Sequence, residues 1–280
     1  DGGGEGEYDR DTGTTTGTGG ARRINGVDPD GLPLNEAFEF FHPEDGESLR
    51  ARFEACLDTG EPYEMDARLT TAEGTQRWVT ARDERVDRAG SDSVVRGYIR
   101  DITEEKTREQ QLTELNQALQ DLLTAETRQR VADIGVRAAR EVLDLRATTV
   151  HLCEDDDTLT PVAQTDEALS RLDERPALSV ADSIAERVYR RGEPTVVDDA
   201  RQDLDAYNSE TDLIGRIYLP LADHGLLIAG SNEKLSIDQQ ELAFSELLAG
   251  NLVAAFDRIE REQTARQRRE RLSLFFEQSP

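Results

Sequence analysis

The stretch from Tyr63 to Thr70 constrains the fold most tightly. Tyr63, Met65, Ala67 and Leu69 alternate with Glu64, Asp66, Arg68 and Thr70. A period of two buries one face of a strand and leaves the other in water. Such a strand needs neighbours, and the flanking sequence supplies them. Glu73-Gly74 predicts a turn, Gln76 to Val86 (with Trp78 and Val79) a second strand, and Val94 to Ile102 a third beyond the polar loop Arg88 to Ser93. Connections this short make the sheet antiparallel. Upstream, Leu49, Phe53, Cys56 and Leu57 stand at i, i+4, i+7 and i+8, the stripe of an amphipathic helix. Pro43 suits its first position, with His42 before it as the expected capping residue. Glu44, Asp45 and Glu47 complement the N-terminal dipole. Gly60 fits the left-handed position that ends a helix.

The rest of the chain reads less sharply at its start. Residues 1–20 have the Gly/Thr/Asp composition of a disordered segment. Thr14 to Thr16 can still pair with Tyr8 across a turn at Asp11 to Gly13. After Ile102 a charged helix begins at Thr103 or Glu104. Leu112, Leu115, Leu119 and Leu122 follow at spacings 3, 4 and 3, a short heptad seam that predicts a homodimer through paired linker helices. Two heptads alone are marginal without help from flanking domains. Val131, Ile134, Ala138, Val142 and Leu145 then form a helical face belonging to a second globular unit.

In that unit Thr148 to Cys153 predicts a strand and Leu159 to Gln164 its return. Ser179 with Asp182 has the spacing of a capping box for the helix carrying Ile184 and Val188, which Gly192 stops. Thr195 to Val197 is a further strand. Gly215 to Leu221 and Gly225 to Ala229 form a hairpin across Asp223-His224. Ser236 with Gln239 reads as a second capping box, opening a long helix whose charged part runs from Arg258 to Arg271. Leu274-Phe275-Phe276 starts something further. The predicted class is therefore α+β: two antiparallel-sheet domains joined by helices, divided as 1–103, 104–124, 125–260 and 261–280.

Charge bounds the partners. Against 59 acidic residues stand 33 basic ones, a net charge of −26. Nucleic acid and anionic lipid would be repelled. Lys106 and Lys234 are the only lysines, and a carboxylate-rich, lysine-poor surface suits molar salt, which screens its self-repulsion. No run of about 18 apolar residues predicts a membrane span. The first residues lack the pattern of a signal peptide and the chain lacks an initial Met, so it is expected to be cut from a longer protein. Cys56 and Cys153 cannot build a disulfide framework, which points to a reducing cytoplasm.

Several segments carry a family resemblance. His42-Pro43-Glu44-Asp45, Thr59 to Leu69, Arg77-Trp78-Val79 and above all Gly97 to Lys106, with its Asp101-Ile102-Thr103 triplet before a charged helix, together resemble a PAS sensor domain over residues 5–103. Its expected aromatic first strands are Gly/Thr-rich here. Residues 125–260 resemble a GAF domain, through Thr148 to Cys153, Ala181 to Ala200 and Arg216 to Ser231. The C-terminal Leu-Phe-Phe-Glu-Gln-Ser-Pro resembles the opening of another PAS domain. An acidic array of this kind resembles the sensory part of haloarchaeal multi-sensor histidine kinases, and also bacterio-opsin-activator-type regulators with a helix-turn-helix output. A ligand-free dimerisation module is the third alternative.

The resemblance implies a pocket in each domain that takes a small-molecule, redox or light cue. Tyr63, Met65, Trp78 and Tyr98 are the candidate PAS lining, and His151 and Tyr218 the candidate GAF lining. Asp101, Ile102 and Thr103 are the expected signal junction, with Asp101 and Thr103 capping the corner. The cofactor is left open. His42 as a haem ligand, Cys56 as a flavin-adduct site and Cys153 as a bilin attachment all lack their surrounding motifs. Asn232-Glu233-Lys234 reads as a turn and not as a cyclic-nucleotide motif. His151 and Cys153 beside Asp155 to Asp157 lack a second His/Cys pair to close a metal set. No histidine lies on a phospho-acceptor helix and no ATP-binding module is evident, so the chain itself is expected to be non-catalytic.

Overall fold

The computed structural model describes residues 3–10, 12–87, 93–143, 145–155, 158–171, 178–179, 184–199, 213–235 and 237–277. The chain divides into two compact units, residues 1–109 and 110–280. The first contains β1 (Gly3–Asp9), β2 (Thr14–Gly17), α1 (Gly19–Asn25), β3 (Leu32–Pro33), α2 (Leu34–Glu39), α3 (Pro43–Thr59), β4 (Tyr63–Thr70), β5 (Gln76–Asp87) and β6 (Ser93–Asp101). Helix α4 (Thr103–Thr124) follows β6 directly. The six strands form one antiparallel sheet in the order β3-β2-β1-β6-β5-β4.

The alternating strand is β4 and pairs with β5 from Tyr63↔Asp83 to Thr70↔Gln76. The Gly/Thr-rich start forms the expected hairpin, with Tyr8 opposite Thr15, and β1 then pairs along β6. Side chains explain how so little apolar content holds it. Thr15 Oγ1 donates to the carbonyls of Pro29 and Leu32, at 2.9 and 3.1 Å, and Tyr8 packs edge-on to Phe53 with centroids 5.4 Å apart. Helix α3 lays Leu49, Phe53 and Cys56 on the sheet with Phe38, Ala81 and Val95. Gly60 ends it in the left-handed region (φ 80°), its amide bonding the Cys56 carbonyl at 2.9 Å.

His42 stands at the N-cap of α3 but makes no side-chain cap. This corrects the capping role expected of it. Its amide instead donates to the Arg68 carbonyl at 2.8 Å. His42, Glu44 and Asp45 bring possible ligand atoms within 4.8 Å of one another, but a cation already serves them. Arg68 pairs with Glu44 at 3.0 Å and Asp45 at 2.8 Å. The Arg68 hydrogen bonds hold the Asp45 carboxyl down at about 2 despite some burial.

The second unit takes the remainder of α4, then α5 (Arg128–Leu143), β7 (Ala147–Asp155), β8 (Thr158–Gln164), α6 (Asp166–Arg171), β9 (Leu178–Ser179), α7 (Ile184–Arg191), β10 (Thr195–Val197), β11 (Gly215–Pro220), β12 (Gly225–Ser231) and α8 (Gln239–Glu277). Its sheet is again antiparallel, in the order β10-β11-β12-β7-β8-β9. The predicted hairpin is β11–β12, paired from Gly215↔Ser231 to Pro220↔Leu226. One sheet face packs on α5 and α8 through Val150, Leu152, Ile217 and Leu227. Helices α5 and α8 approach closely because Gly135 has no side chain: a Cβ there would lie 3.0 Å from Leu252.

Both expected capping boxes fall partly outside the described residues, at Asp182 and Ser236. Ser179 pairs with Thr158 in a strand, and the described helix begins at Ile184; residues 180–183 lie outside the described residues. Ser236, the expected cap of α8, lies outside the described residues; the capping contacts described there are those of Asp238. Asp238 Oδ1 accepts from the Gln240 and Glu241 amides at 2.7 and 2.8 Å, and Glu241 Oε2 accepts from the Asp238 amide at 2.9 Å. The charged run remains helical to Glu277, as the last part of α8.

The four-leucine seam divides. Leu115 and Leu122 are each 3 % exposed and enter the second unit's core with Ala118 and Ala125. The 3-4-3 spacing therefore has a partner within the chain. Leu119 is half-buried, Leu112 is 49 % exposed and Leu123 75 %. At the end of α4, Arg258 of α8 donates through Nη2 to the carbonyls of Leu122 and Ala125, at 3.1 and 2.6 Å. A guanidinium there satisfies C-terminal carbonyls that the helix leaves open.

Candidate functional site

The pairing registers assemble a site that no single segment reveals. Gly17 pairs with Gly6, Gly6 with Gly97, Gly97 with Asp83, and Asp83 with Tyr63. One row thus crosses β2, β1, β6, β5 and β4. Three glycines leave the row without side chains, and a carboxylate and a phenol stand at its end. Tyr8 and Val95 belong to the next row on one side; Ala81 and Ile99 belong to the next on the other. Above this trench lies a cavity of about 160 Å³, bordered by Gly6, Gly97, Asp83 and Tyr63 and roofed by Phe38, Leu49 and Phe53. Gly97 is required: a Cβ there would collide with the Asp83 carboxylate.

Tyr63 donates its hydroxyl to Asp83 Oδ2 in a short hydrogen bond. Burial pushes the Asp83 carboxyl up to about 6, against the opposing effect of the Tyr63 bond. Burial, then the Asp83 charge, pushes the Tyr63 phenol up. Beneath them the Cys56 thiol donates weakly to the Asp83 carbonyl, 3.8 Å away, and burial raises it as well. Arg85 is committed elsewhere: Nη1 donates to the Leu57 and Asp58 carbonyls at 3.2 and 3.5 Å. Asn25, also on the cavity border, holds a buried Oδ1 with no hydrogen-bond partner.

Of the four residues expected to line this pocket, Tyr63 and Tyr98 border the cavity. Tyr98 is 40 % exposed. Met65 packs into the neighbouring core. Trp78 pairs with Arg68 on the strand positions that alternate away from Val79 and Ala81. There its ring lies 5.9 Å from the Arg68 guanidinium and 5.7 Å from Lys106 Nζ. Trp78 thus belongs to the junction and not to the pocket. Sequence reading missed Asp83, Asn25, Gly6 and Gly97. An available signal was a carboxylate at the inward parity of β5, after Val79 and Ala81. A glycine inside a strand, as at Gly97, marks close approach.

The junction is closed by polar contacts. Asp101 Oδ1 accepts from the Thr103 amide at 2.9 Å and from its hydroxyl at 2.5 Å. Thr103 Oγ1 accepts from the Trp78 amide at 3.0 Å. Asp101 Oδ2 pairs with Arg77 at 2.8 Å. Burial raises the Asp101 carboxyl, but the Thr103 bonds and Arg77 more than offset it and leave it below the usual range. Ile102 is buried, and its amide bonds the Trp78 carbonyl at 2.9 Å. One turn on, Lys106 pairs with Asp66 at 3.0 Å.

In the second unit His151 and Tyr218 are both buried. They occupy the sheet face opposite Val150 and Leu227, where Tyr218 packs with Leu159, Leu226, Ile184 and Val188. The pairing row through His151 is Pro220–Leu226–His151–Pro161, filled at every position. Burial lowers the imidazole to about 4, and its Nδ1 has no partner.

These two units define a class: tandem α+β domains, each on a six-stranded antiparallel sheet, the first built over a small cavity. Their families follow from comparison. A PAS fold family matches residues 16–99 and a GAF domain family residues 125–257. The chain therefore carries a PAS fold followed by a GAF domain. No curated protein matches it. Similar solved structures include the GAF domain of a phosphoenolpyruvate-protein phosphotransferase from Coxiella burnetii, 20 % identical, covering 56 % of this chain and 98 % of that one, with a TM-score of 0.49. A sensory box histidine kinase/response regulator from Burkholderia thailandensis is 26 % identical, with 40 % and 85 % covered and a TM-score of 0.33. The chromophore-binding domain of a bacteriophytochrome from R. palustris is 10 % identical, with 92 % and 94 % covered and a TM-score of 0.48. Among the described residues no helix is long and apolar enough to cross a membrane.

Proposed function

We propose that this is the sensory region of a cytoplasmic signal-transduction protein. Its PAS cavity binds a small molecule, and its occupancy is relayed through α4 toward a histidine kinase output in the parent chain. One observation carries the reading: β6 places Gly97 on the cavity floor and, four residues later, passes through Asp101-Ile102-Thr103 into α4. A ligand that favours one sheet conformation shifts its population by its differential affinity. The junction offers few ways to absorb that shift, because Asp101, Ile102 and Thr103 are each bonded to β5 or to one another.

Asp101→Ala tests the relay. Both units should remain folded by circular dichroism, while amide exchange at Thr103 to Lys106 accelerates about tenfold and output in the parent protein uncouples from stimulus. Unchanged output would count against the relay.

The acting unit is a homodimer in this reading, joined by the exposed face of α4 and α8. Leu119, Leu123, Ala254 and Arg258 line an open groove there, of about 470 Å³. A second copy suits it, since it offers the same leucines and pairs them symmetrically. Leu123→Asp should weaken self-association at least fivefold in sedimentation at high salt. A profile identical to wild type would remove this interface.

A further inference from the structure

The polar atoms around the PAS cavity are unbalanced. Two acceptors on its border, the Asp83 carboxylate and Asn25 Oδ1, are poorly served, and the charge on Asp83 is negative. Asp83 has no ion-pair partner among the described residues. Arg85, the base two residues on and of the same strand parity, is spent on α3 carbonyls. Glu7, further along the border, already pairs with Arg96 at 2.9 Å. The Thr15 hydroxyl is already spent on the carbonyls of Pro29 and Leu32. Asn25 Oδ1 is buried and unpartnered. A buried carboxylate with a single hydrogen bond is costly unless a cation joins it. A ligand that completes this site must therefore bring hydrogen-bond donors and a positive charge.

Size and shape narrow the ligand further. A cavity of about 150 Å³ holds a molecule the size of benzene, and this one is about 160 Å³. Phe38, Phe53 and Tyr8 meet edge to face, at 5.8 Å for Phe38–Phe53. They offer an aromatic wall beside the carboxylate. Such walls attract a cation as well as an apolar body. Gly97 and Gly6 bring backbone to the cavity border, with the Asp83 carboxylate standing against Gly97.

We infer that the PAS cavity recognises a small organic cation, an arylalkyl-ammonium of about eight heavy atoms, with its nitrogen at Asp83–Tyr63 and its apolar body against Phe38, Phe53 and Tyr8. The inference rests on the cavity being a ligand site and specifies the chemistry of that site. No covalent step is involved. The ammonium donates to Asp83 and turns an unpaired buried charge into a pair. Carboxylates of the same size are repelled, and neutral alcohols leave Asp83 unpaired.

Three isosteric probes separate the possibilities: benzylamine, benzyl alcohol and benzoate, titrated into the 280-residue chain by calorimetry at pH 7.5. Benzylamine should bind at least tenfold more tightly than benzyl alcohol, with benzoate not binding. Asp83→Asn removes a buried charge and should fold. It should reduce benzylamine to the level of the alcohol, and Gly97→Val should abolish both. Equal binding of amine and alcohol, or a preference that survives Asp83→Asn, would overturn the cation inference while leaving the ligand site standing. No saturation by any of the three would overturn the ligand site and the inference with it.

Discussion

The two sheets share size, antiparallel pairing and a helical cover, yet their central rows are opposites. In the PAS sheet the row is Tyr63–Asp83–Gly97–Gly6–Gly17. In the GAF sheet the row through His151 is Pro220–Leu226–His151–Pro161. One has glycine at three positions and borders a cavity; the other carries a side chain at every position and packs. Burial acts on the titratable group in each row in the same sense, toward neutrality. It raises Asp83 to about 6 and lowers His151 to about 4. The difference lies in satisfaction. Asp83 keeps a bond from Tyr63, whereas His151 Nδ1 has none. A similar scaffold can thus hold a binding trench or a solid core, according to which residues fall in one register row.

The sharpest way to break that contrast is to empty the filled row. Leu226 is fully buried, so Leu226→Ala should destabilise the second unit by about 2–5 kcal/mol, read as an earlier GAF transition in chemical denaturation. A cost below about 1 kcal/mol would mean the row is not packed as described.

The next effect belongs to Asp83. Its folded value of about 6 lies above the unfolded value of about 4. Folding then favours the protonated form, so the stability it contributes is complete below about pH 4 and is lost as pH rises through 6. The span is worth about 3 kcal/mol. Asp83→Asn should show this as a stability difference from wild type that grows across the same window. A constant difference would place Asp83 in water. Asp45 runs the other way. Held down at about 2 by Arg68, it contributes stability above about pH 4 and loses it as pH falls through 2. The smaller expected effects are the Leu123→Asp change in association and the local exchange change of Asp101→Ala.

Much of this architecture was legible in the sequence because its signals are local. The alternation of β4, the stop at Gly60, the β11–β12 hairpin and the Asp101-Ile102-Thr103 corner each depend on neighbours within a few residues. The trench was not legible, because it exists only across five strands, and register between distant strands is not written in any one of them. The leucine seam failed for a related reason. Spacing says that a face will be covered but not by what, and the second unit's own core covers Leu115 and Leu122. Trp78 was misplaced by residue type, since a large aromatic suggests a core. Strand parity instead puts it under Arg68 and Lys106.

The Arg258 clasp on the end of α4 has a consequence for wiring. By connectivity alone, α4 leads to α8 in series, through α5 and the GAF sheet. One guanidinium joins the last carbonyls of α4 directly to the flank of α8, so the two helices are tied to each other as well as through the sheet. Under the relay proposed above, a displacement of α4 would reach α8 without first passing through the GAF sheet.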